Sequence, residues 1–535
     1  MRQSASNRYQ LRSAVIFCAM TALSMGLIIR IAALSQGSGI MPVSDGYGSC
    51  TIEVVSDRAY IYDCKFLPLV NRENRYFASI VPSPSNSYLL EEYYGSEALP
   101  SLISARKPVV IPVDSPDIYA GGVEVYQGKR RYSDGQPAVH VIGSLTDGMT
   151  TGASGIEKAL DAYLSANGTR ISARYSADAL GRAFDSGTPE TLTRNFGSRA
   201  GVVLTLDLRI QNIAETALNK LGQGAVVVMD VKNGDIKALA SHPDYDPNHI
   251  SDYTDAENSP FLNRAFAAYS VGSTFKLVTA AAALESGIPT TFEHSCPGWI
   301  DAGGVRFNCQ KLSGHGELSM KDALAVSCNP YFIALAAETG AENIKSLAIR
   351  LGFGTADVFC DGLCTSSGNL PSDQTLSTPA GAANFAFGQG ELLATPVQIC
   401  KLVCTIANGG YSVTPRLIDG YTEDGRTLSE AAPIYAQNRI LSASTAATLR
   451  KYMVNVVKNG SGRRAAPESG GAGGKTASAQ TGQFTDGVEK IEGWFAGFYP
   501  ADEPRYAIVV LAEGAGSGAT AAAPVFKEIA DGIGE

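Results

Sequence analysis

Ser273 and Lys276 stand three residues apart, a spacing that on a helix puts a hydroxyl and an amine on one face. There a neutral lysine can take the serine proton, while the helix N-terminus favours the negative charge that develops. Burial is what lowers a lysine's pKa far enough for that work. Alone the pair says little, because most Ser-x-x-Lys pairs are ordinary surface. Ser-x-Asn occurs at Ser165–Asn167, Ser327–Asn329 and Ser367–Asn369, so two of the three are chance. Lys475-Thr476 is the one Lys-Thr dipeptide in the chain. It follows Gly473-Gly474 and precedes Ala477-Ser478, small residues that let a substrate lie along a strand edge.

The serine and lysine need a helix start, and the sequence supplies one. Thr274 to about Ser286 is rich in strong helix formers, stops at Gly287 and is followed by Pro289. Ser273 therefore falls at the helix N-terminus, behind Gly272. Asp207 is placed to N-cap a helix to about Leu221, with apolar residues at 210, 213, 214, 217, 218 and 221. Ala225–Met229 is an apolar run fit for a central strand, Asn233-Gly234 a hairpin turn, and Ile236–Ala240 the returning strand. Gly493–Tyr499 and Tyr506–Leu511 read as two more strands, and a helix from about Ala522 to Ile533 closes the chain. Strands at both ends of a block with an Ala-rich helical middle predict one antiparallel sheet covered by helices, an α+β domain. Residues 36–200 alternate short strands and turns. Tyr60-Ile61-Tyr62 and Val109-Val110-Ile111 are strand-like, and Ser154 and Glu157 have capping-box spacing. With no titratable cluster there, the region reads as a scaffold or interaction module.

The chain's ends exclude more than its totals. Its 535 residues hold 43 Lys+Arg against 52 Asp+Glu, a net charge of −9, with 18% charged and 45% hydrophobic residues. That is neither disordered nor the basic stripe of a nucleic-acid binder. Length alone allows roughly three to four domains. Residues 1–44 contain no acid, and Arg2, Arg8 and Arg12 precede the uncharged run Ser13–Ile29. Past Arg30 the apolar character continues to Leu34, 22 residues in all. At about 1.5 Å per residue this spans roughly 33 Å, enough to cross a bilayer. The leading arginines put the N-terminus in the cytoplasm. The expectation is a cytoplasmic tail at 1–12, an uncleaved anchor at 13–35 and an extracytoplasmic remainder. A cleaved signal ending near Ala32-Ala33 and a buried helix are the alternatives.

Outside the cytoplasm cysteines can oxidise. Of the ten, Cys296 and Cys309 flank a Gly-rich stretch, Pro297-Gly298 to Gly303-Gly304, that reads as a hairpin, so they are the expected disulfide. Cys360/Cys364 and Cys400/Cys404 have C-x3-C spacing. No His accompanies either pair, and with five His in the chain no metal and no cofactor is expected.

Order brings specificity. Ser273/Lys276, then Ser327/Asn329 54 residues on, then Lys475/Thr476 148 residues further, resembles the three-part signature of penicillin-binding proteins and serine β-lactamases. Asn263-Arg264-Ala265, His315-Gly316, Phe387-Gly-Gln-Gly-Glu391 with Thr395-Pro396, and Gly493-Trp-Phe-Ala-Gly497 are similar to runs of the transpeptidase domain. Arg58-Ala-Tyr-Ile-Tyr-Asp63, His140-Val-Ile-Gly143 and Gly152–Glu157 resemble elements of the N-terminal domain of class B, monofunctional members. The likeness covers nearly the whole chain from about residue 58. It implies a penicillin-binding/β-lactamase-like transpeptidase domain at 201–535, preceded by a mostly β, pedestal-like module at 36–200 and one transmembrane helix.

By that resemblance Ser273 would be the acyl acceptor and Lys276 its base. Ser327 would relay a proton between Lys276 or Lys475 and the leaving group. Asn329 would bind the peptide amide, and Lys475 and Thr476 the terminal carboxylate of a D-Ala-D-Ala stem. Backbone N–H groups of Ser273 and Ser478 would form the oxyanion hole. The implied activity is D,D-transpeptidation of peptidoglycan stem peptides, with β-lactams as acylating inhibitors and a SEDS-type glycan polymerase as membrane partner. Two positions depart from the pattern. Ala477 stands where Gly is common, a methyl that would narrow the cleft or alter β-lactam access, and Val271 replaces a frequent Pro. A D,D-carboxypeptidase would give the same acyl-enzyme to water. A class D-type β-lactamase would be one shorter domain, and a non-catalytic β-lactam sensor would follow several membrane spans. A bifunctional synthase needs a glycosyltransferase domain, for which there is no motif before residue 200.

Overall fold

The two ends of the C-terminal block meet in one sheet. The computed structural model describes residues 20–25, 48–146, 150–178, 180–184, 188–485 and 487–535. Helix α1 (Leu208–Leu218) begins as predicted, with Asp207 accepting from the N–H groups of Arg209 and Ile210. It stops three residues before Leu221, where Gly222 and Gly224 release the chain into β1 (Gly224–Asp230). Across the Asn233-Gly234 turn lies β2 (Ile236–His242), followed by helix α2 (Lys276–Glu285). Next come β3 (Glu293–Cys296), β4 (Trp299–Ala302), β5 (Val305–Asn308) and β6 (Gly316–Ser319). Here β4 and β5 form the expected hairpin, and β3 pairs with β6 around it. Helices α3 (Met320–Val326), α4 (Asn329–Thr339), α5 (Pro396–Ala407) and α6 (Ala443–Asn459) follow. Strands β7 (Gly473–Thr485), β8 (Val488–Tyr499) and β9 (Tyr506–Ala512) and helix α7 (Ala522–Gly534) close the fold.

The sheet runs β2-β1-β9-β8-β7, every neighbour antiparallel. Alternate residues of the central strands enter different cores. Val227, Met229, Val509 and Leu511 join the cluster containing α2 and α5. Val226, Val228, Ile508 and Val510 join the one with α1 and α7. Burial on both faces is why these strands read as unbroken apolar runs rather than alternating ones.

Among the described residues the N-terminal region mixes strands with short helices, Ser87–Tyr94 and Leu99–Ala105 among them, rather than being mostly β as expected. Glu73–Ile80 lies between Val109–Val113 and Val123–Arg130, and Arg170–Ser176 between Ser49–Ser56 and Glu190–Arg194. A further sheet ties this region to the rest. Gly201–Leu204 runs parallel to Tyr60–Tyr62 and antiparallel to Ile418–Thr422. The capping box expected at Ser154 does not form. Ser154 is the N-cap of a short helix, but its Oγ accepts from the N–H of Ser144 instead. Glu157 turns inward and takes Arg58 at 2.9 Å and Arg131 at 2.6 Å, all three buried. The Arg58–Asp63 and Gly152–Glu157 elements, the first and last of the three, thus meet through a buried ion cluster completed by Arg131, which sequence reading had not placed there. Asp63 of the first also caps a turn, accepting from the N–H groups of Lys65 and Leu67, and from Leu208 at the start of α1.

The expected tail at 1–12 and most of the expected anchor at 13–35 lie outside the described residues. Residues 20–25 are helical, with Met20, Leu23 and Met25 exposed. No helix among the described residues is long and apolar enough to cross a membrane.

Candidate active site

Ser273 sits in a 3₁₀ turn, Gly272–Thr274, immediately before α2 rather than in its first α-helical turn. Gly272 makes the turn possible. Its φ is +52°, and a Cβ there would come within 2.9 Å of the Ala479 Cβ on β7. Its N–H donates to Gly388 O at 2.9 Å, and Thr274 Oγ1 donates to Val271 O at 2.8 Å. The turn is therefore wedged between β7 and the Phe387–Glu391 segment. Trp494, fully buried, donates its indole N–H to Ser270 O at 2.9 Å and fixes the approach from the other side. Arg264 anchors the segment farther upstream through an ion pair with Glu513 at 2.8 Å. Thr395 and Gln398 form a capping box at the start of α5, with Pro396 at its first turn. These contacts explain several sequence runs that carry no reacting group.

At the first residue of α2, one turn beyond Ser273, Lys276 is fully buried. Its Nζ donates to Ser327 O at 2.8 Å, Ser327 Oγ at 3.2 Å and Asn329 Oδ1 at 2.6 Å. The Phe332 ring lies 5.6 Å away. No carboxylate is among these neighbours. Burial, by disfavouring the charged form, lowers the Lys276 pKa to about 7.

Ser327 closes α3 in the left-handed region, φ +57°, an unusual place for a residue with a Cβ. Such strain costs on the order of 1–3 kcal/mol and persists where surroundings enforce it. Here it aims the hydroxyl between two amines, because Lys475 Nζ donates to the same Oγ at 3.0 Å. Lys475 is also fully buried, and burial together with the charge on Lys276 lowers its pKa well below the ordinary lysine value. Gly473 and Gly474 let β7 lie flat on β8. A Cβ at either would meet the ring of Phe498 or Phe495 at 2.3 Å. Thr476 Oγ1 is 2.7 Å from Ser461 Oγ. Ser478 pairs with Gly493, and its Oγ accepts from the Gly518 N–H at 3.3 Å.

The structure thus links Lys276, Ser327, Asn329 and Lys475 by direct hydrogen bonds. Ser273 lies on the same turn and Thr476 and Ser478 on the strand beside it. Ser165–Asn167 and Ser367–Asn369 take no part in this network. Among the described residues none hydrogen bonds to the Ser273 hydroxyl. The Ala477 side chain is buried, in the same core cluster as Ala479 and Trp494.

Sequence reading missed a second cluster. Cys296, Cys309, His315 and Cys328 converge, their ligand atoms all within 4.8 Å of one another. The expected Cys296–Cys309 disulfide is not formed, and both are free thiols. Cys309 Sγ instead faces Cys328 Sγ at 4.0 Å and His315 Nδ1 at 3.4 Å. Cys328 was concealed inside the Ser-x-Asn motif, and the four are separated by 12, 5 and 12 residues rather than paired.

Comparison with known proteins accounts for the arrangement. Residues 224–531 match the penicillin binding protein transpeptidase domain. Stage V sporulation protein D of Bacillus subtilis is 31% identical over 75% of this chain, which spans 63% of that protein's length. Peptidoglycan D,D-transpeptidase PbpA of Mycobacterium tuberculosis is 28% identical over 67% of this chain and 80% of its own. The solved ceftriaxone acyl-enzyme complex of penicillin-binding protein A from M. tuberculosis superposes with a TM-score of 0.65 at 22% identity. It covers 89% of this chain and 98% of that one. With the ordered motifs, the sheet and the lysine–serine–lysine contacts agreeing, the chain belongs to the penicillin-binding protein transpeptidase family, among its class B members.

Proposed function

We propose that this protein is a membrane-anchored D,D-transpeptidase that cross-links peptidoglycan stem peptides through an ester on Ser273. One observation carries the reading: Ser327 Oγ bridges two buried lysines, at 3.2 Å from Lys276 and 3.0 Å from Lys475. A surface Ser-x-x-Lys pair would not be so built.

In the proposed reaction Ser273 Oγ attacks the carbonyl carbon between the two terminal D-Ala residues, and Lys276 Nζ takes its proton. A neutral amine has two N–H groups and one lone pair, so Lys276 gives up one of its three acceptors when it serves as base. Asn329, half-buried at the cleft side, is the partner best placed to turn to the substrate amide. The N–H groups of Ser273 and Ser478 receive the oxyanion. Collapse breaks the D-Ala–D-Ala amide, and the leaving amine takes its proton through Ser327. The terminal carboxylate lies against Lys475 and Thr476. A carboxylate beside Lys475 favours its charged form, so substrate binding returns to that lysine the proton its burial disfavours. An acceptor amine then attacks the ester and restores the Ser273 hydroxyl.

The 22-residue stretch from Ser13 to Leu34, interrupted only by Arg30, with the exposed apolar side chains of Met20, Leu23 and Met25, supports an anchor at 13–35 and a catalytic block outside the membrane. A SEDS-type glycan polymerase in the same membrane is the partner proposed with it. The test is a reporter β-lactam with the adduct mapped by mass spectrometry. Label on Ser273 that vanishes in Ser273→Ala is expected, and label elsewhere, or none, refutes the assignment. A D-Ala-D-Ala peptide offered with an amine acceptor should yield the transfer product, whereas hydrolysis alone would make the protein a carboxypeptidase.

A further inference from the structure

We propose that Cys296, Cys309, His315 and Cys328 hold one structural Zn²⁺ ion, and that this ion positions the Ser327–Asn329 turn of the catalytic site. Each ligand stands at the end of an element. Cys296 ends β3, Cys309 follows β5, His315 precedes β6, and Cys328 is the N-cap of α4. Two hairpins and a helix start therefore converge on a single point, with all four ligand atoms within 4.8 Å of one another.

The spacing fits a metal better than any other use of three thiols. Tetrahedral zinc with Zn–S of about 2.3 Å and Zn–N of about 2.0 Å sets S···S near 3.8 Å and S···N near 3.5 Å. The observed Cys309 Sγ–Cys328 Sγ distance is 4.0 Å, and Cys309 Sγ–His315 Nδ1 is 3.4 Å. A disulfide needs about 2.05 Å and would leave the third thiol and the imidazole without purpose. The three cysteines are buried and His315 is half-buried, so the site is closed and offers no open coordination position for chemistry.

The backbone is built around the same point. The His315 N–H donates to Cys296 O at 3.0 Å, and the Cys309 N–H to Gly298 O at 2.8 Å. Gly298 and Gly314 have φ of +104° and +79°, and a Cβ would fall 2.0 Å from Leu312 O and 2.4 Å from Cys296 O. Only glycine closes the loop this tightly. The donor set selects among metals: thiolates with one imidazole in tetrahedral array suit Zn²⁺, whereas Mg²⁺ and Ca²⁺ take oxygen.

Cys328 is the residue between Ser327 and Asn329. Pinning its sulfur to β3, β5 and β6 fixes the left-handed turn that holds Ser327 Oγ between the lysines. This consequence rests on the proposed acyl-enzyme function, whereas metal content does not.

The full-length protein, purified in detergent without chelator, should contain about one zinc per chain by plasma mass spectrometry. Cys296→Ser and His315→Ala should lose it, and Cys360→Ser, outside the cluster, should keep it. Should those variants fail to fold, the unmodified protein answers alone. After chelator treatment, added Co²⁺ should produce thiolate-to-cobalt charge-transfer bands and tetrahedral d–d absorption, and Zn²⁺ should displace them. Chelation should also slow β-lactam acylation of Ser273 by about tenfold or more, reversed by Zn²⁺, as expected when a reacting group loses its position. A metal-free protein that takes up no cobalt, iron in place of zinc, or a mapped disulfide among the three cysteines overturns the site. Zinc present with acylation unchanged on its removal overturns the positioning role. Zinc present with no Ser273 adduct under any condition would overturn the proposed function and leave the metal site standing.

Discussion

The buried amine of Lys276 gives the proposed chemistry a pH signature. An ordinary lysine of pKa 10.5 is neutral in about one molecule in three thousand at pH 7, and a pKa of about 7 raises that to about one half. If the neutral amine is the base, acylation of Ser273 should fall about tenfold per pH step below 7 and level off above about pH 8. Stopped-flow measurement of the second-order rate constant with a fluorescent β-lactam, from pH 5.5 to 9.5, reads this directly. Lys276→Arg places a guanidinium that does not deprotonate in this range, and should cost about a thousandfold or more at every pH. The same burial has a stability counterpart. Because the folded pKa lies below the unfolded 10.5, the unfolded chain binds more protons between about pH 7 and 10.5, and stability should rise with pH across that window. The rise attributable to this lysine is on the order of 5 kcal/mol and should be missing from Lys276→Met. A flat acylation profile, or an inflection above about pH 9.5, would refute the argument: Lys276 would then be an ordinary ammonium ion and not the base.

Three further outcomes follow from particular contacts. Glu157→Gln leaves Arg58 and Arg131 buried beside an uncharged amide and should lower unfolding free energy by about 3–5 kcal/mol in denaturant titration. Its catalytic block should otherwise be unchanged, so acylation of the remaining folded protein should proceed at the normal rate. Ala477→Gly should leave β-lactam acylation within about twofold and cost on the order of 1 kcal/mol of stability, since the methyl packs into the core. Removing residues 1–36 should move the protein from the membrane to the soluble fraction while Ser273 remains reactive. Persistent membrane association of that truncated protein would argue against the anchor.

How much of this was legible beforehand differs by region, for physical reasons. The central β1 and β9 strands and the Gly493–Tyr499 half of β8 announced themselves because burial on both faces leaves hardly a polar residue to interrupt the run, whereas the Val488–Glu492 half of β8, partly exposed and charged, did not. The Ser273, Ser327 and Lys475 elements were found by order along the chain, since each carries a hydroxyl or amine capable of acyl or proton transfer beside small or helix-starting neighbours. The exact start of α2 was not, because the 3₁₀ turn is imposed by β7 and Gly388, distant in sequence. The Glu157 ion cluster was misread as a helix cap: the spacing is identical, and only the buried Arg58 and Arg131 decide where the carboxylate goes. The cysteine and histidine cluster failed for a different reason. Its members sit at the ends of four separate elements, and local spacing carries no trace of such a convergence.

Strand β7 lies at one edge of the five-stranded sheet, and among the described residues only β8 pairs with it. Its inner half is sheltered by the Ser273 turn. Its outer half runs out through Gln480 to Phe484, with Phe484 and Val488 exposed near the tip. No lysine or proline interrupts residues 480–484, and the irregular pairing with β8 between Gln480 and Phe484 is the device against edge-to-edge pairing found there. An edge left open for an extended peptide would also present a template to a second copy of the chain. In concentrated solution this arm is where colloidal association should begin, and a single Gln483→Lys change should delay the onset of light scattering.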